Sequence, residues 1–192
     1  ISACLVGSEM CIRDRIEPVD AARRDALLQA VCGGATLIGL AWQETEGQLE
    51  AGEAATAFGV SVIEREGAYM LNGEKRHVVP GAGVDGWLVT ADGERGSALF
   101  YVAAGTPGVS AHVHERADGT VACHLAIESA VVPADALLAI DAVLDAVDEA
   151  LDLGRLMQSA ELVGVARQVL ADSVAYLLSL IHISEPTRQA EI

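Results

Sequence analysis

Apolar residues recur along this chain with a helical period at its ends and a strand-like period between them. From Asp20 to Val31 the apolar positions Ala22, Leu27, Leu28 and Val31 fall at helical steps, with Asp20 as N-cap and Gly33-Gly34 as the stop. Leu37 to about Val132 changes to short apolar runs: Val60 to Glu64, Trp87 to Ala91, Ala98 to Ala103, Val109 to His114 and Val121 to Ile127. Turn-forming clusters separate them at Ala91 to Gly96, Gly105 to Gly108 and Ala117 to Thr120. Asn72-Gly73 predicts a further turn, because Asn-Gly supplies the positive-φ pair of a type I′ hairpin in which Tyr69 to Leu71 pairs with Lys75 to Val79. Beyond Val131-Val132-Pro133 the spacing becomes helical again: Leu137, Leu138, Val143, Leu144, Val147 and Leu151, then Leu156, Ala160, Val163, Ala166, Val169, Leu170 and Val174. Gly154 and Gly164 are tolerated within that helical stretch. The predicted fold class is α+β, an antiparallel β-barrel or sandwich flanked by helices.

The two ends of the chain are related through their codons. Met10-Cys11-Ile12 can be written ATG-TGT-ATA, and the opposite strand, in a shifted frame, reads ATA-CAC-AT, the codons of Ile181, His182 and the start of Ile183. Extended outward, codons for Leu5 to Asp14 give Ser179 to Thr187 on the complementary strand, and the nucleotides on either side complete Leu178 and Arg188. Residues 1–15 and 178–192 are therefore expected to be translated sequencing-library adapter, and Ile16 to Leu177 to be a stretch of a longer protein.

Charge and cysteine usage narrow the function classes. The chain has 12 Lys+Arg against 28 Asp+Glu, a formal net charge of −16. Such a field repels nucleic acid and anionic membrane surfaces, so neither is an expected partner. Cys4 and Cys11 fall in the flanks. Cys32 and Cys123, with no short spacing between them, form neither a disulfide framework nor a zinc site, which makes the cytoplasm the expected compartment. No apolar run approaches the ~20 residues of a membrane helix. His112, His114 and His124 alternate at strand spacing and read as sheet-face residues, with no metal expected. Asp141, Asp145, Asp148 and Glu149 read as a solvated helix face.

The motif order resembles the acyl-CoA dehydrogenase family across nearly all of Ile16 to Leu177. That family carries an apolar segment running into Ala-Leu-(Ser/Thr)-Glu-Pro-Gly-Ala-Gly-Ser-Asp, and here Ile38-Gly-Leu-Ala-Trp-Gln-Glu44 takes that place. Its next landmark, Leu-Asn-Gly-x-Lys-x-(Trp/Phe)-Ile-(Thr/Ser)-Asn-Gly, is met by Leu71-Asn-Gly-Glu-Lys-Arg-His-Val-Val-Pro-Gly81. Phe100-Tyr-Val-Ala-Ala-Gly-Thr-Pro-Gly-Val109 matches a later strand and Pro-Gly element, and Val131-Val-Pro133 a strand ending in Val-Pro. Asp152-Leu-Gly-Arg155 and Leu162-Val-Gly-Val-Ala-Arg167 match the helix that follows. The resemblance implies the end of an N-terminal helical domain at 16–36, a flavin-binding β domain at 37–133 and the start of a C-terminal helical domain at 134–177.

The activity it implies is α,β-dehydrogenation of an acyl-CoA thioester with FAD as hydride acceptor. An electron-transfer flavoprotein or similar acceptor and a homo- or hetero-oligomer of the parent protein are implied as partners. By position, Gln43 takes the place of the Thr or Ser at the flavin pyrimidine edge, beside Trp42. His77 replaces the aromatic that stacks on the flavin ring, and Val79 replaces the hydroxyl residue near flavin N5. Thr45 to Leu49 replaces Pro-Gly-Ala-Gly-Ser, which puts Leu49 beside the acyl-CoA and adds Glu46 and Glu50 nearby. Asp152 and Arg155 take the place of the helical Asp-x-x-Arg at the acyl-CoA site. The proton-abstracting Glu of most relatives falls beyond Leu177, and Gly154 occupies the position that bears it in a minority, so no catalytic base is assigned and this stretch alone is expected to be inactive. Two other readings stay open: a subunit of the same fold that holds no flavin and pairs with an active partner, and a non-catalytic β-barrel binding module.

Overall fold

The computed structural model describes residues 21–51 and 59–181; Asp20, residues 1–15 and residues 182–192 lie outside them. Helix α1 (Ala21–Cys32) ends as its glycines require. Gly34 adopts φ 72°, and the amides of Gly33, Gly34 and Ala35 donate back to the carbonyls of Gln29, Val31 and Ala30. Strands follow at β1 (Ile38–Ala41), β2 (Val60–Arg65), β3 (Ala68–Val78), β4 (Gly86–Gly93), β5 (Gly96–Ala103), β6 (Val109–Glu115) and β7 (Val121–Pro133). A single 3₁₀ turn (Ala134–Ala136) leads into β8 (Leu137–Ile140), and helix α2 runs from Val143 to Ile181. Residues 178–181 therefore continue the helix that precedes them.

The strands form one mixed sheet in the order β6-β7-β3-β2-β4-β5-β8, with β1 pairing β4 off that path. Most pairs are antiparallel, as expected. β1 and β4 run parallel, however, as do β2 and β4 at Ser61 and Asp92, and the sheet does not close into a barrel.

Two sequence expectations are corrected here. The hairpin turn is Glu66-Gly67 rather than Asn72-Gly73. Glu66 and Gly67 both have positive φ (49° and 80°), and the β2–β3 ladder closes at Arg65 and Ala68. β3 runs on through Asn72-Gly73, where its register with β7 shifts. Glycine is needed there for close approach, since a Cβ on Gly73 would collide with the Gly59 carbonyl, while Asn72 Oδ1 accepts the Ser129 N–H at 3.2 Å. The second correction concerns Leu137 and Leu138, which were expected to open a helix. They form β8 on the edge of β5, because each faces a different apolar layer: Leu137 enters one core cluster and Leu138 the other.

Those two layers explain the strand composition. Trp87, Val89 and Ala91 of β4 and Ala98, Phe100 and Val102 of β5 pack into one layer with Leu71, Leu125 and Ile127 from β3 and β7. Leu88, Leu99 and Leu138 point the other way and are covered by Val143, Ala146, Val147 and Ala150 of α2 and by Leu27 and Val31 of α1. β4 is thus apolar on both faces. At ~1.5–3 kcal/mol for each large apolar side chain fully buried, these layers supply most of the fold's favourable free energy.

The chain divides into two units, one up to Gly154 and one from Arg155. In the second, the helix carries exposed Leu156, Leu162, Val163, Val169 and Leu170. The expectation that no segment reaches membrane length is corrected by α2. Val143–Leu180 contains an 18-residue window of mean hydropathy 1.3, long and apolar enough to cross a membrane by length and composition, and none of that window is buried. Of the acidic residues expected on a solvated helix face, Asp145 is exposed, whereas Asp148 is half-buried and accepts the Ala51 N–H at 2.5 Å.

Candidate functional site

The sheet contains a buried charge. Lys75, the single lysine of the sequence, lies in the middle of β3 with no exposed surface, and its ammonium donates to Glu44 Oε1 and, at 2.9 Å, to Thr90 Oγ1 of β4. The Glu44 side chain is 8% exposed. Burial holds the Lys75 pKa down at about 8, against the opposing pull of the Glu44 hydrogen bond and charge. An isolated ammonium in such a place would be very costly, and Glu44 and Thr90 are what make it tolerable.

This cluster fixes the loop after β1 onto β3. Glu44 follows Gln43, whose carbonyl accepts the Arg76 N–H at 2.7 Å. Gln48, 6% exposed, organises the rest of the loop: its Oε1 accepts the Glu44 N–H at 2.9 Å and its Nε2 donates to the Glu50 carbonyl at 3.1 Å. The Gln43 side chain makes only long contacts from Nε2, 3.4 Å to each of the Thr45 and Gln48 carbonyls. Its amide can exchange those for a better acceptor at little cost.

Next to this anchored loop β3 bulges. The register with β7 slips between Lys75 and Val78, and His77 takes a left-handed backbone conformation with φ 52°. A non-glycine residue held there stores ~1–3 kcal/mol of backbone strain, and a bulge re-aims side chains. The result is an exposed imidazole whose ring meets His114 edge-on, centroids 6.1 Å apart and planes at 84°. Val79 follows, half-buried. Gln43 is thus tied to the segment that carries His77 and Val79 through the Arg76 N–H to Gln43 carbonyl bond.

The other expected site residues are placed differently. Trp42 is half-buried against the helix-covered layer, and Leu49 is 68% exposed on the loop. Asp152 is exposed near the end of the first unit. Arg155 opens the second, exposed, its carbonyl accepting from Ser159 Oγ at 2.7 Å. His112 and His124 are cross-strand partners, and His124 Nε2 lies 3.1 Å from Glu74 Oε2, so these residues do stand on a sheet face. Burial pushes the Cys123 thiol up, which leaves it unreactive. A solvent-open cleft lined by Val62, Tyr69, Arg95, Phe100 and Ile140 lies elsewhere, near the start of β3. Tyr69 and His77 are eight residues apart on that strand, roughly 26 Å at strand rise.

Sequence reasoning overlooked Lys75, Glu44, Thr90 and Gln48 as a structural unit. The available signal was a lysine inside a strand-forming stretch of a chain that has no other lysine.

These residues fit a planar heteroaromatic ring at the end of the sheet. The Gln43 amide offers both a donor and an acceptor, and the exposed His77 imidazole offers a stacking face. The acidic loop carrying Glu46, which lies 3.9 Å from Arg76 Nη1, sets the charge limit on what else can approach.

Comparison with solved structures gives the fold a context. Glutaryl-CoA dehydrogenase from Mycobacterium smegmatis superposes with a TM-score of 0.75 at 20% identity, covering 97% of this chain and 46% of that one. A glutaryl-CoA dehydrogenase from the same organism, solved in complex with FADH2, gives a TM-score of 0.65 at 20% identity over 78% of this chain and 38% of that one. Butyryl-CoA dehydrogenase from Megasphaera elsdenii gives a TM-score of 0.74 at 23% identity over 91% of this chain and 46% of that one. A chain of the ChsE4-ChsE5 complex from Mycobacterium tuberculosis gives 0.60 at 22% over 73% of this chain and 35% of that one. The mixed sheet with its helices is thus part of the acyl-CoA dehydrogenase fold, and the chain spans less than half the length of these proteins. No family model matches the chain, and no curated protein matches it by sequence.

Proposed function

We propose that this chain is the flavin-holding part of an FAD-dependent acyl-CoA dehydrogenase, an oxidoreductase that forms a double bond between Cα and Cβ of an acyl-CoA thioester. The observation that carries this reading is the meeting of Gln43 and the bulged His77 through the Arg76 N–H to Gln43 carbonyl bond, on a fold shared with such enzymes. FAD, when bound, supplies the hydride acceptor. Gln43 would meet its polar pyrimidine edge, His77 its ring face, and the Val79 backbone N–H an acceptor atom of the ring, with Trp42 packed under the loop. Leu49 offers an apolar wall to the acyl-CoA. Asp152 and Arg155 are the residues assigned to acyl-CoA, Arg155 supplying positive charge to a substrate that a net charge of −16 otherwise repels. No proton-abstracting carboxylate is assigned among the described residues, and the chain alone is expected to turn over no acyl-CoA. An electron-transfer flavoprotein or similar acceptor, an oligomeric parent and a cytoplasmic location belong to the same reading.

The test is the protein encoded by the whole reading frame. Purified and supplied with FAD, it should be yellow and be bleached anaerobically by an acyl-CoA. His77→Ala and Gln43→Ala should each weaken FAD binding about tenfold. A second reading is favoured by exposed Glu46 and Glu50 in the loop after β1: a subunit that holds no flavin and works beside an active partner. A colourless protein that co-purifies with a yellow subunit selects it. A stable, colourless monomer selects a β-sheet binding module instead.

A further inference from the structure

We propose that Lys75 is a positioning residue for the flavin: its buried contacts with Glu44 and Thr90 hold the Gln43 loop in register with the His77 bulge. The inference rests on the flavin reading above and goes beyond it by assigning a role to a residue that would not touch the cofactor.

Lys75 has no exposed surface, and burying an ion pair is a weak way to gain stability, because apolar residues of similar volume serve as well or better. What the pair supplies that Leu and Met would not is direction. Hydrogen bonds from Lys75 Nζ to Glu44 Oε1 and from Arg76 N–H to the Gln43 carbonyl join the loop to β3, beside a long, exposed ion pair of Arg76 with Glu46 at 3.9 Å; the bond from the same Nζ to Thr90 Oγ1 fixes the ammonium to β4. Of these, the bond from Lys75 to Glu44 is the buried side-chain one between loop and sheet. Glu44 is the neighbour of Gln43, and Lys75 stands two residues before His77 on β3. The ammonium therefore bridges the two segments that bear the proposed flavin contacts.

The loose contacts of the Gln43 amide make this coupling matter. At 3.4 Å, neither its bond to Thr45 nor that to Gln48 fixes the side chain, so its placement follows from the backbone at residues 43 and 44. Productive sites tolerate displacements of only about 0.5 Å, which an apolar contact in place of a directed pair does not enforce.

The experiment uses the protein encoded by the whole reading frame, wild type and Glu44→Leu/Lys75→Met, with three readouts: melting temperature, FAD dissociation constant from quenching of flavin fluorescence, and the visible flavin spectrum. The expected result is a melting temperature within a few degrees of wild type, an FAD dissociation constant raised at least about tenfold, and a shifted flavin band in whatever holoprotein remains. Unchanged affinity and spectrum overturn the inference while leaving the flavin reading intact. So does a melting temperature that falls while FAD still binds as in wild type, since that marks a purely structural pair. If the double variant does not fold, Thr90→Val decides. It deletes one acceptor and keeps the shape, and it should raise the dissociation constant several-fold at an unchanged melting temperature; unchanged affinity overturns the inference. A wild-type protein that takes up no FAD overturns the flavin reading itself and this one with it.

Discussion

A buried ammonium leaves a trace in the pH dependence of stability. With its pKa held at about 8 against a usual 10.5, Lys75 has released its proton in the folded state at pH values where the unfolded chain still holds it. Between those values the unfolded state binds more protons, so stability should rise with pH through that window, by on the order of 3 kcal/mol. Below pH 8 both states carry the proton and the contribution is flat. Because the chain has a single lysine, its Cε resonance in a carbon NMR titration reads the group directly. A midpoint near 8 is expected; one near 10.5 would mean that the ammonium is solvated. Lys75→Met should abolish the rise in denaturation midpoint across the same window. The sequence displayed Lys75 and Glu44 only as letters of two separate motifs. Their pairing needed β1, β3 and β4 to be brought side by side, a non-local fact that no window of sequence contains.

For single elements, glycine substitutions separate the two turn assignments in β3. Gly67 occupies the hairpin turn with open space where a Cβ would go, so Gly67→Ala should cost only the positive-φ penalty, about 1 kcal/mol. Gly73 faces the Gly59 carbonyl at close range, and Gly73→Ala should cost more than about 2 kcal/mol. Equilibrium urea denaturation of both variants checks this, and the reverse order would restore Asn72-Gly73 as the turn. The strands from Val60 to Ile127 were legible because turn-formers interrupt short runs of strand-forming residues, even though β4 is buried on both faces and β6 is largely exposed. The Asn-Gly signal misled because glycine serves both a tight turn and a close backbone approach, and only the partner strand tells them apart. β8 was read as helix because Leu137 and Leu138 are apolar on both strand faces, a pattern that periodicity alone does not distinguish from a helix. In α2, exposed Leu162, Val169 and Leu170 make a further prediction. Replacing all three by Gln should reduce self-association of the chain on size exclusion while leaving the near-ultraviolet signal of the β domain unchanged; undiminished association would place the sticky surface elsewhere.

For the whole molecule, the motif order carried more than any single motif. Helix, sheet and helix in that sequence match a fold shared with solved dehydrogenases at 20–23% identity. What stayed illegible was geometry: a mixed rather than antiparallel sheet, β1 running parallel to β4, and the division of the chain at Gly154. A strongly acidic molecule offering an amide, an imidazole and a backbone N–H suits a neutral aromatic ring better than it suits the phosphates attached to it. Weakening of FAD affinity at low salt, relieved as salt screens the −16 charge, is therefore expected. The most direct test of the account is an FAD titration of the protein encoded by the whole reading frame, followed by visible absorbance. The account predicts a saturable yellow complex with a flavin band displaced from that of free FAD and lost in His77→Ala, whereas a protein that stays colourless at saturating FAD would contradict it.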